Sequence, residues 1–526
     1  MKVTLVAINT KYVHSSLAVW YLASGIAAHC QQKHEVEIIE ATINQSGAQI
    51  AECIIAQKPD VVGISAYIWN AGMLPEIIAL LRNYLPSVII VLGGPEVAHN
   101  AQYWLDNGAN HVIHGPGEHS FAEFLDALVQ DDAPVIRSAK YFNPYSEDYF
   151  KALSGRIAYI ETSRGCPFAC SYCLSGESEL AFVPLHLAKE QIKKLAFSGT
   201  RTLKFVDRTF NCDIQRACDI WEYVLSFESE CCFHFEVAAD LFDERSLALL
   251  SRAAPGRIQL EIGLQSFYEP TLSAVLRKTD LEKAEKNIRR IIAPGNIHVH
   301  VDLIAGLPYE NLAAFEQSFG RAYALGAHKL QLGFLKVLHG SRLRSEAQML
   351  GLVYQKMPPY EIICSPWMSE SDLNLLKIAE NALQHTYNQG RFLSALEYVL
   401  TVSQLPALTL FYGIGKAVFH EATSLDSYAA QLYQYFRTLP NVKEEKLKDN
   451  MLCDLLQMTK GKSMPDVLKN YHKKRKQVAE LASKMLARPI CANEAAMLTN
   501  GQGVYVDSQE QDPVTGLYPL YFLELR

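Results

Sequence analysis

Three of the chain's twelve cysteines fall within eight residues, in Cys166-Pro167-Phe168-Ala169-Cys170-Ser171-Tyr172-Cys173. The spacing is C-x3-C-x2-C. Three thiolates on so short a loop can ligate three corners of a cubane iron–sulfur cluster. Zinc usually takes four ligands with paired spacing, and no fourth Cys or His follows at a suitable distance. Three ligands leave one iron open to a substrate or cofactor. The plainer alternative, three unlinked core thiols, does not account for the spacing or for the position directly after a strand pattern.

The elements around this loop read as α/β. From Arg156 onward the pattern predicts strands at Ile157–Thr162, Thr202–Val206, Phe233–Ala238, Ile258–Ile262, His298–Ala305 and Lys329–Leu335, with helical patterns between. Six such units are too few for a closed eight-fold barrel and fit an open (β/α)6 partial barrel. Before them, strands are predicted at Val3–Asn9, Val36–Glu40, Val61–Ala66, Val88–Leu92 and His111–His114, with helices such as Leu17–His29 and Leu74–Tyr84. Apolar strands alternating with helices imply a parallel, doubly wound (Rossmann-like) sheet, whose ligands bind beyond the carboxyl ends of the strands. The loops there are Tyr67-Ile68-Trp69-Asn70, Gly93-Gly94-Pro95-Glu96 and Gly115-Pro116-Gly117-Glu118. No G-x-G-x-x-G follows the first strand and no phosphate-binding G-x-x-x-x-G-K-[ST] occurs. The glycines are tight βα turns or a close approach to a ligand; three such loops on one edge favour a large flat ligand. Asp131–Gly155 shows no period and reads as a linker. Beyond Pro359 the pattern is mostly α-helical, for example Ser371–Tyr387 and Tyr428–Thr438, with a small strand or two in Gly501–Arg526. The expected domains are 1–135, a linker 136–155, 156–350 and 351–526.

Composition narrows the classes. The 526 residues are 49% hydrophobic and 20% charged, with 49 Lys+Arg against 56 Asp+Glu and net charge −7. That balance is globular, and a general nucleic-acid coat or membrane-surface binder should lean basic. No apolar run is long enough for a membrane span or a signal segment, so a cytoplasmic protein is expected. The basic run His472-Lys473-Lys474-Arg475-Lys476 reads as a solvated helix face.

The cysteine motif resembles the signature of the radical S-adenosylmethionine (SAM) superfamily, C-x3-C-x-aromatic-C, with Tyr172 as the aromatic. Further segments are similar to strand motifs of its cobalamin-linked branch: Lys204–Phe210, Gly263-Leu264-Gln265-Ser266, Asp302–Glu310 and Gly333–Gly340. The first domain, with its Gly-Gly-Pro and Gly-x-Gly-Glu loops, is similar to that branch's cobalamin-binding domain. The last part resembles a helical C-terminal extension of unknown function. The resemblance implies a [4Fe-4S] cluster on Cys166, Cys170 and Cys173, with SAM chelating the open iron and cleaved by one electron to a 5′-deoxyadenosyl radical. Positions matching SAM contacts are Tyr172, Asp207, Glu236, Gln265, Ser266 and Ile304. Asp207 reads alternatively as a helix N-cap, and Glu236 as a buried polar group of the barrel. The superfamily's Gly-Gly-Glu is absent.

For cobalamin the implied contacts are Tyr67, Trp69 and Asn70 near the corrin's lower face, with Gly93, Gly94, Pro95, Glu96, Gly115 and Glu118 along the nucleotide tail. Packing of Tyr67 and Trp69 against the next domain is the competing reading. No Asp-x-His-x-x-Gly occurs, and His14 reads as loop, with Ser15 or Ser16 capping the next helix. The implied state is base-off, with no protein His on cobalt. A methylthiotransferase would need a third cysteine before Cys166, and only Cys30 and Cys53 occur there. Cys212, Cys218, Cys231, Cys232 and Cys364 read as structural thiols.

The expected activity is methylation of an unactivated carbon. One SAM methylates cob(I)alamin, a second yields the radical, and the substrate radical takes methyl from methylcobalamin. Cyclisation, rearrangement or redox chemistry without methyl transfer uses the same cofactors, and a non-catalytic cobalamin- or SAM-binding sensor or scaffold is the alternative from another class. The resemblance implies an electron donor such as flavodoxin or ferredoxin. The substrate is not readable from the residues.

Overall fold

The computed structural model describes the chain except residues 130–141, 177, 419–423, 460–467, 469–473 and 525–526. It divides into two compact units: Met1–Val237 with Val275–Arg277 and Leu335–Ile363, and Ala238–Ala274 with Lys278–Phe334 and Cys364–Arg526.

The first unit begins with five parallel strands, β1 (Lys2–Asn9), β2 (Glu35–Thr42), β3 (Val61–Ser65), β4 (Ile89–Gly93) and β5 (His111–Ile113), in the order β2-β1-β3-β4-β5. This is a doubly wound order whose direction reverses between β1 and β3, which opens a crevice at their carboxyl ends. The sequence explains the placement. β1 and β3 are apolar runs buried on both faces, whereas Glu35 and Glu37 of β2 face solvent as an edge strand requires. Helices α1 (Ala18–His29), α2 (Gly47–Gln57), α3 (Leu74–Tyr84), α4 (Ala101–Asp106) and α5 (Gly117–Ala127) connect the strands. Ser46 and Gln49 form a capping box on α2.

The expected linker corrects in part. Residues 130–141 lie outside the described residues, but Glu147–Leu153 forms a helix, α6, capped by Ser146. Two turns are too short to register as a period, and burial decides instead: Tyr149 packs edge-on to Trp20 at 5.6 Å, and Leu153 is buried. Next come β6 (Ala158–Ile160), β7 (Ser163–Arg164), β8 (Ala181–Phe182), β9 (Thr202–Phe205) and β10 (Cys232–Val237), with α7 (Leu185–Ala196) and α8 (Ile214–Leu225) between. β6 and β10 flank β9, all parallel. Phe205 of β9 stacks on Phe235 of β10 at 4.3 Å.

The second unit holds β11 (Ile258–Gln265), β12 (His298–Ala305) and β13 (Lys329–Phe334), parallel with β12 central. Its alternating strands bury every second residue, as Ile258, Leu260, Ile262 and Leu264 show. Beyond them lie the helices Glu370–His385, Leu393–Ser403, Ala407–Ala417, Leu425–Phe436, Glu444–Met458 and Arg475–Leu486. The chain's end forms three antiparallel strands, Ala495–Met497, Gly503–Val506 and Leu520–Leu523; the last two are the strands expected within Gly501–Arg526, and the first precedes that segment. His472 and Lys473 of the basic run lie outside the described residues. Among the described residues no single helix is long and apolar enough to cross a membrane.

Candidate functional site

The cysteine loop hangs between two short antiparallel strands, β7 and β8, paired Ser163 to Phe182 and Arg164 to Ala181. Gly165 opens it at φ +87°, and a Cβ there would lie 2.3 Å from the Glu179 carbonyl, so only glycine closes the loop. Its middle is pinned from two sides: the Ser171 amide donates to the Val275 carbonyl (2.9 Å), and the Leu343 amide donates to the Ser171 carbonyl (2.8 Å). Polar groups surround the sulfurs. The Ser175 amide donates to Cys173 Sγ at 3.4 Å, Arg277 Nη1 donates to Cys170 Sγ at 3.6 Å, and Thr209 Oγ1 lies 3.5 Å from Cys166 Sγ. An amide and a guanidinium directed at sulfur stabilise thiolates, which is the form that binds iron. The donor set fits a cluster with three protein ligands. Burial raises the Tyr172 phenol, and charge on Cys170 and Cys173 adds to the effect while Arg277 opposes it.

Asp207 is buried and turned inward. It accepts from the Thr162 amide (3.0 Å), Thr162 Oγ1 (2.7 Å) and Ser163 Oγ (2.6 Å), fixing the strand that leads into the cysteines. The N-cap reading of Asp207 is corrected, because α8 is capped by Asp213, which accepts from the Arg216 amide. Arg164, absent from the sequence expectations, donates to Glu118 on the first turn of α5 and to Glu161 (2.6 Å), with its guanidinium 5.0 Å over the Tyr21 ring. The loop bearing Cys166 is thereby tied to the end of β5.

A cavity of about 1240 Å³ lies between the carboxyl ends of β1, β3, β4 and β5 and the cysteine loop. Tyr67, Trp69, Gly93, Gly94, Pro95, Glu96, Gly115, Glu118, Tyr172 and Glu236 all line it. Drug-sized ligands occupy roughly 300–1,000 Å³, so this space suits a larger cofactor. Tyr67 and Trp69 stack at 4.4 Å and 5°, a flat aromatic pair. Gly94, at φ +113°, would place a Cβ 2.5 Å from the Ala66 carbonyl, and Gly115 is left-handed at φ +73°. These glycines form a backbone cradle that fits the corrinoid expected here. Asn70 is buried behind the wall. Its amide donates to the carbonyls of Ile8 (3.3 Å) and Ser65 (3.0 Å) and accepts from the Tyr67 amide (2.9 Å), so it folds the aromatic loop. Glu96 accepts from the Tyr360 hydroxyl, and Arg344 stacks on Tyr360 at 5.0 Å.

His14 lines the same cavity, with Nδ1 2.6 Å from the Tyr159 hydroxyl; burial lowers its pKa, with Lys204 and Lys11 adding to the effect. The expected cap by Ser15 or Ser16 corrects as well. Leu17 is the N-cap of α1 without a side-chain bond, while Ser15 Oγ donates to the Ile157 carbonyl and the Ser16 amide to Glu40. Glu40 is engaged there because it pairs with buried Arg156 at 2.8 Å.

The remaining SAM-matched positions belong to the second unit. Gln265 sits at φ +73° with its Oε1 buried and without a hydrogen-bond partner, strain and an unmet acceptor that fit a bound polar ligand. Ser266 is buried and donates to Glu310 (2.7 Å), as does Ser318 (2.8 Å). Ile304 stands opposite Gly333 in the β12–β13 ladder. Burial lifts Glu310 to about 7, against the two hydroxyl donors. The folded state therefore binds the Glu310 proton more tightly than the unfolded chain. Stability should fall by up to about 3 kcal/mol as pH rises from the usual carboxylate range to about 7. Thermal melts of Glu310→Gln should show a flatter pH dependence than the parent; identical slopes contradict this. Of the other thiols, Cys218 and Cys231 are buried, while Cys212, Cys232 and Cys364 are partly buried.

Truncating Arg164 to Ala leaves buried Glu118 without its cation, so we expect a loss of about 1–3 kcal/mol. A lowered melting temperature checks it, and an unchanged one refutes it.

A B12 binding domain model matches residues 3–125, a Radical SAM superfamily model residues 160–322, and a model for a protein of unknown function (DUF4080) residues 348–499. The chain is similar to the cobalamin-dependent radical SAM methyltransferase TokK of Streptomyces tokunonensis, 21% identical over 417 residues, covering 69% of this chain and 61% of TokK. It is also similar to the 2-(S-pantetheinyl)-carbapenam-3-carboxylate methyltransferase of Streptantibioticus cattleyicolor, 23% identical over 314 residues, covering 52% of this chain and 46% of that protein. The chain thus spans less than two thirds of either relative. The structure of OxsB, a cobalamin-dependent SAM radical enzyme solved with aqua-cobalamin and SAM, shares the fold with a TM-score of 0.61 at 14% identity. It covers 86% of this chain and 78% of OxsB. In chain order, then, separate segments match the B12 binding domain, the Radical SAM superfamily and the DUF4080 region.

Proposed function

We propose that the protein is a cobalamin-dependent radical SAM methyltransferase acting on an unactivated carbon. The observation that carries this reading is the shared cavity: Tyr67, Trp69 and Gly94 on one side and Tyr172, Cys173 and Arg164 on the other line one space. When bound, SAM on the cluster supplies a 5′-deoxyadenosyl radical and cobalamin carries the methyl group. The chain's residues hold and orient. The cysteine loop presents three thiolates, Arg277 neutralises charge at Cys170, and the Gly93-Gly94 turn lets backbone approach the corrinoid.

We infer a base-off cobalamin without a protein imidazole on cobalt. The flat Tyr67–Trp69 pair supports it, since stacked rings offer a face and no cobalt ligand. The reductant is a small electron carrier such as flavodoxin or ferredoxin. The compartment is the cytoplasm, in keeping with twelve cysteines that are all free.

The test is co-product analysis. With SAM, reductant and cobalamin, methyl transfer to cobalt releases S-adenosylhomocysteine, one per corrinoid in a first turnover, whereas ring closure or redox chemistry yields none. Absence of S-adenosylhomocysteine from protein with full cluster and corrinoid overturns the methyltransferase reading.

A further inference from the structure

At the edge of the first domain remote from the cavity, three side chains of different chemistry converge. Cys30 follows α1, His34 immediately precedes β2, and Asp126 lies in the last turn of α5. Their ligand atoms all lie within 4.8 Å of one another. Both ring nitrogens of His34 are buried and have no hydrogen-bond partner. An unsatisfied buried polar group costs about 1–3 kcal/mol, so such an imidazole calls for an occupant. Asp126 is buried, with both carboxylate oxygens near the Gln31 amide at 3.1 and 3.2 Å, which leaves lone pairs for a further partner.

We propose that Cys30, His34 and Asp126 form a structural divalent-metal site that takes zinc. Sulfur, nitrogen and carboxylate oxygen together are a zinc donor set, with water as the fourth ligand. A thiolate and a carboxylate balance the ion's two positive charges, so the buried complex is neutral. On binding, the Cys30 proton, now directed at the Ala122 carbonyl 3.7 Å away, leaves to solvent, and the sulfur forms the metal bond. Zinc bonds of about 2.0–2.3 Å draw donors to roughly 3.5 Å apart, a shift within reach of the His34 ring that no hydrogen bond holds. A cysteine nucleophile with the same three residues is the poorer reading. Without a cation, burial and the neighbouring Asp126 push the Cys30 thiol up to about 12, leaving it protonated. The ion would fasten the end of α1 and the start of β2, whose ligands are four residues apart, to the end of α5, whose ligand lies more than ninety residues further on.

The experiment uses full-length protein with its cluster reconstituted anaerobically, incubated with zinc chloride and gel-filtered. Zinc content and zinc-edge X-ray absorption are then measured. The expected result is one retained zinc with one sulfur and lighter atoms as its other ligands, and a higher melting temperature. Cys30→Ala and His34→Gln should each lower zinc retention by about tenfold or more while iron content stays unchanged. No retained zinc, or a zinc surrounded by three sulfurs, as at Cys166, Cys170 and Cys173, overturns the proposal. So does retention unchanged in folded variants. The absorption spectrum of the parent protein decides the matter even where a variant fails to fold.

Discussion

Alanine at Cys166, Cys170 or Cys173 should reduce cluster iron and SAM cleavage to background while corrinoid binding stays at the parent level. A site-differentiated cluster has no spare protein ligand, so loss of one thiolate leaves two anchors for four irons. The loop itself should survive, because its shape rests on Gly165, the Ser171 backbone bonds and the β7–β8 pair rather than on sulfur. Iron analysis and 5′-deoxyadenosine assay, with cobalamin absorbance after desalting, check all three quantities. Cys364→Ala serves as the control and should keep full iron. Iron at parent level in a Cys170→Ala protein would refute the cluster assignment.

Gly94→Val should give the mirror image, losing corrinoid while keeping iron. At φ +113°, a Cβ would sit 2.5 Å from the Ala66 carbonyl, and the contact is with backbone that cannot swing away. A non-glycine residue at such a φ costs about 1–3 kcal/mol before the clash is counted. Relief requires the Gly93-Gly94 turn to move into the cavity it borders, and we expect at least about tenfold weaker cobalamin binding. Equal affinity in the variant would mean that this turn does not cradle the cofactor. The two substitutions together separate the cofactors, since each removes one and spares the other.

What was legible in the sequence was local. The C-x3-C-x2-C spacing states its chemistry within eight residues, and the apolar runs from Val3 to Ile113 contain the parallel sheet. The residues that fix the site's geometry are paired over long separations. Arg164 meets Glu118 across 46 positions, Ser266 meets Glu310 across 44, and Tyr360 meets Glu96 across 264. Glu118, Ser266 and Glu96 stand in motifs of their own, but nothing local marks which distant residue each one meets. Side-chain direction was also hidden. Asn70 and Asp207 stand at strand ends, as sites do, yet both turn inward to hold loops, Asn70 for Tyr67 and Trp69 and Asp207 for the entry to Cys166. Helix α6 was missed because burial of Tyr149 rather than periodicity stabilises its two turns.

The central claim is that one cavity holds a base-off corrinoid beside the cluster. Its most direct test is the electron paramagnetic resonance spectrum of bound cob(II)alamin in the anaerobically reconstituted, cobalamin-loaded and desalted protein. The account predicts a retained signal without nitrogen splitting, altered when the cluster is reduced. A nitrogen-split signal, which would direct attention to His14, or no retained corrinoid at all, would contradict it.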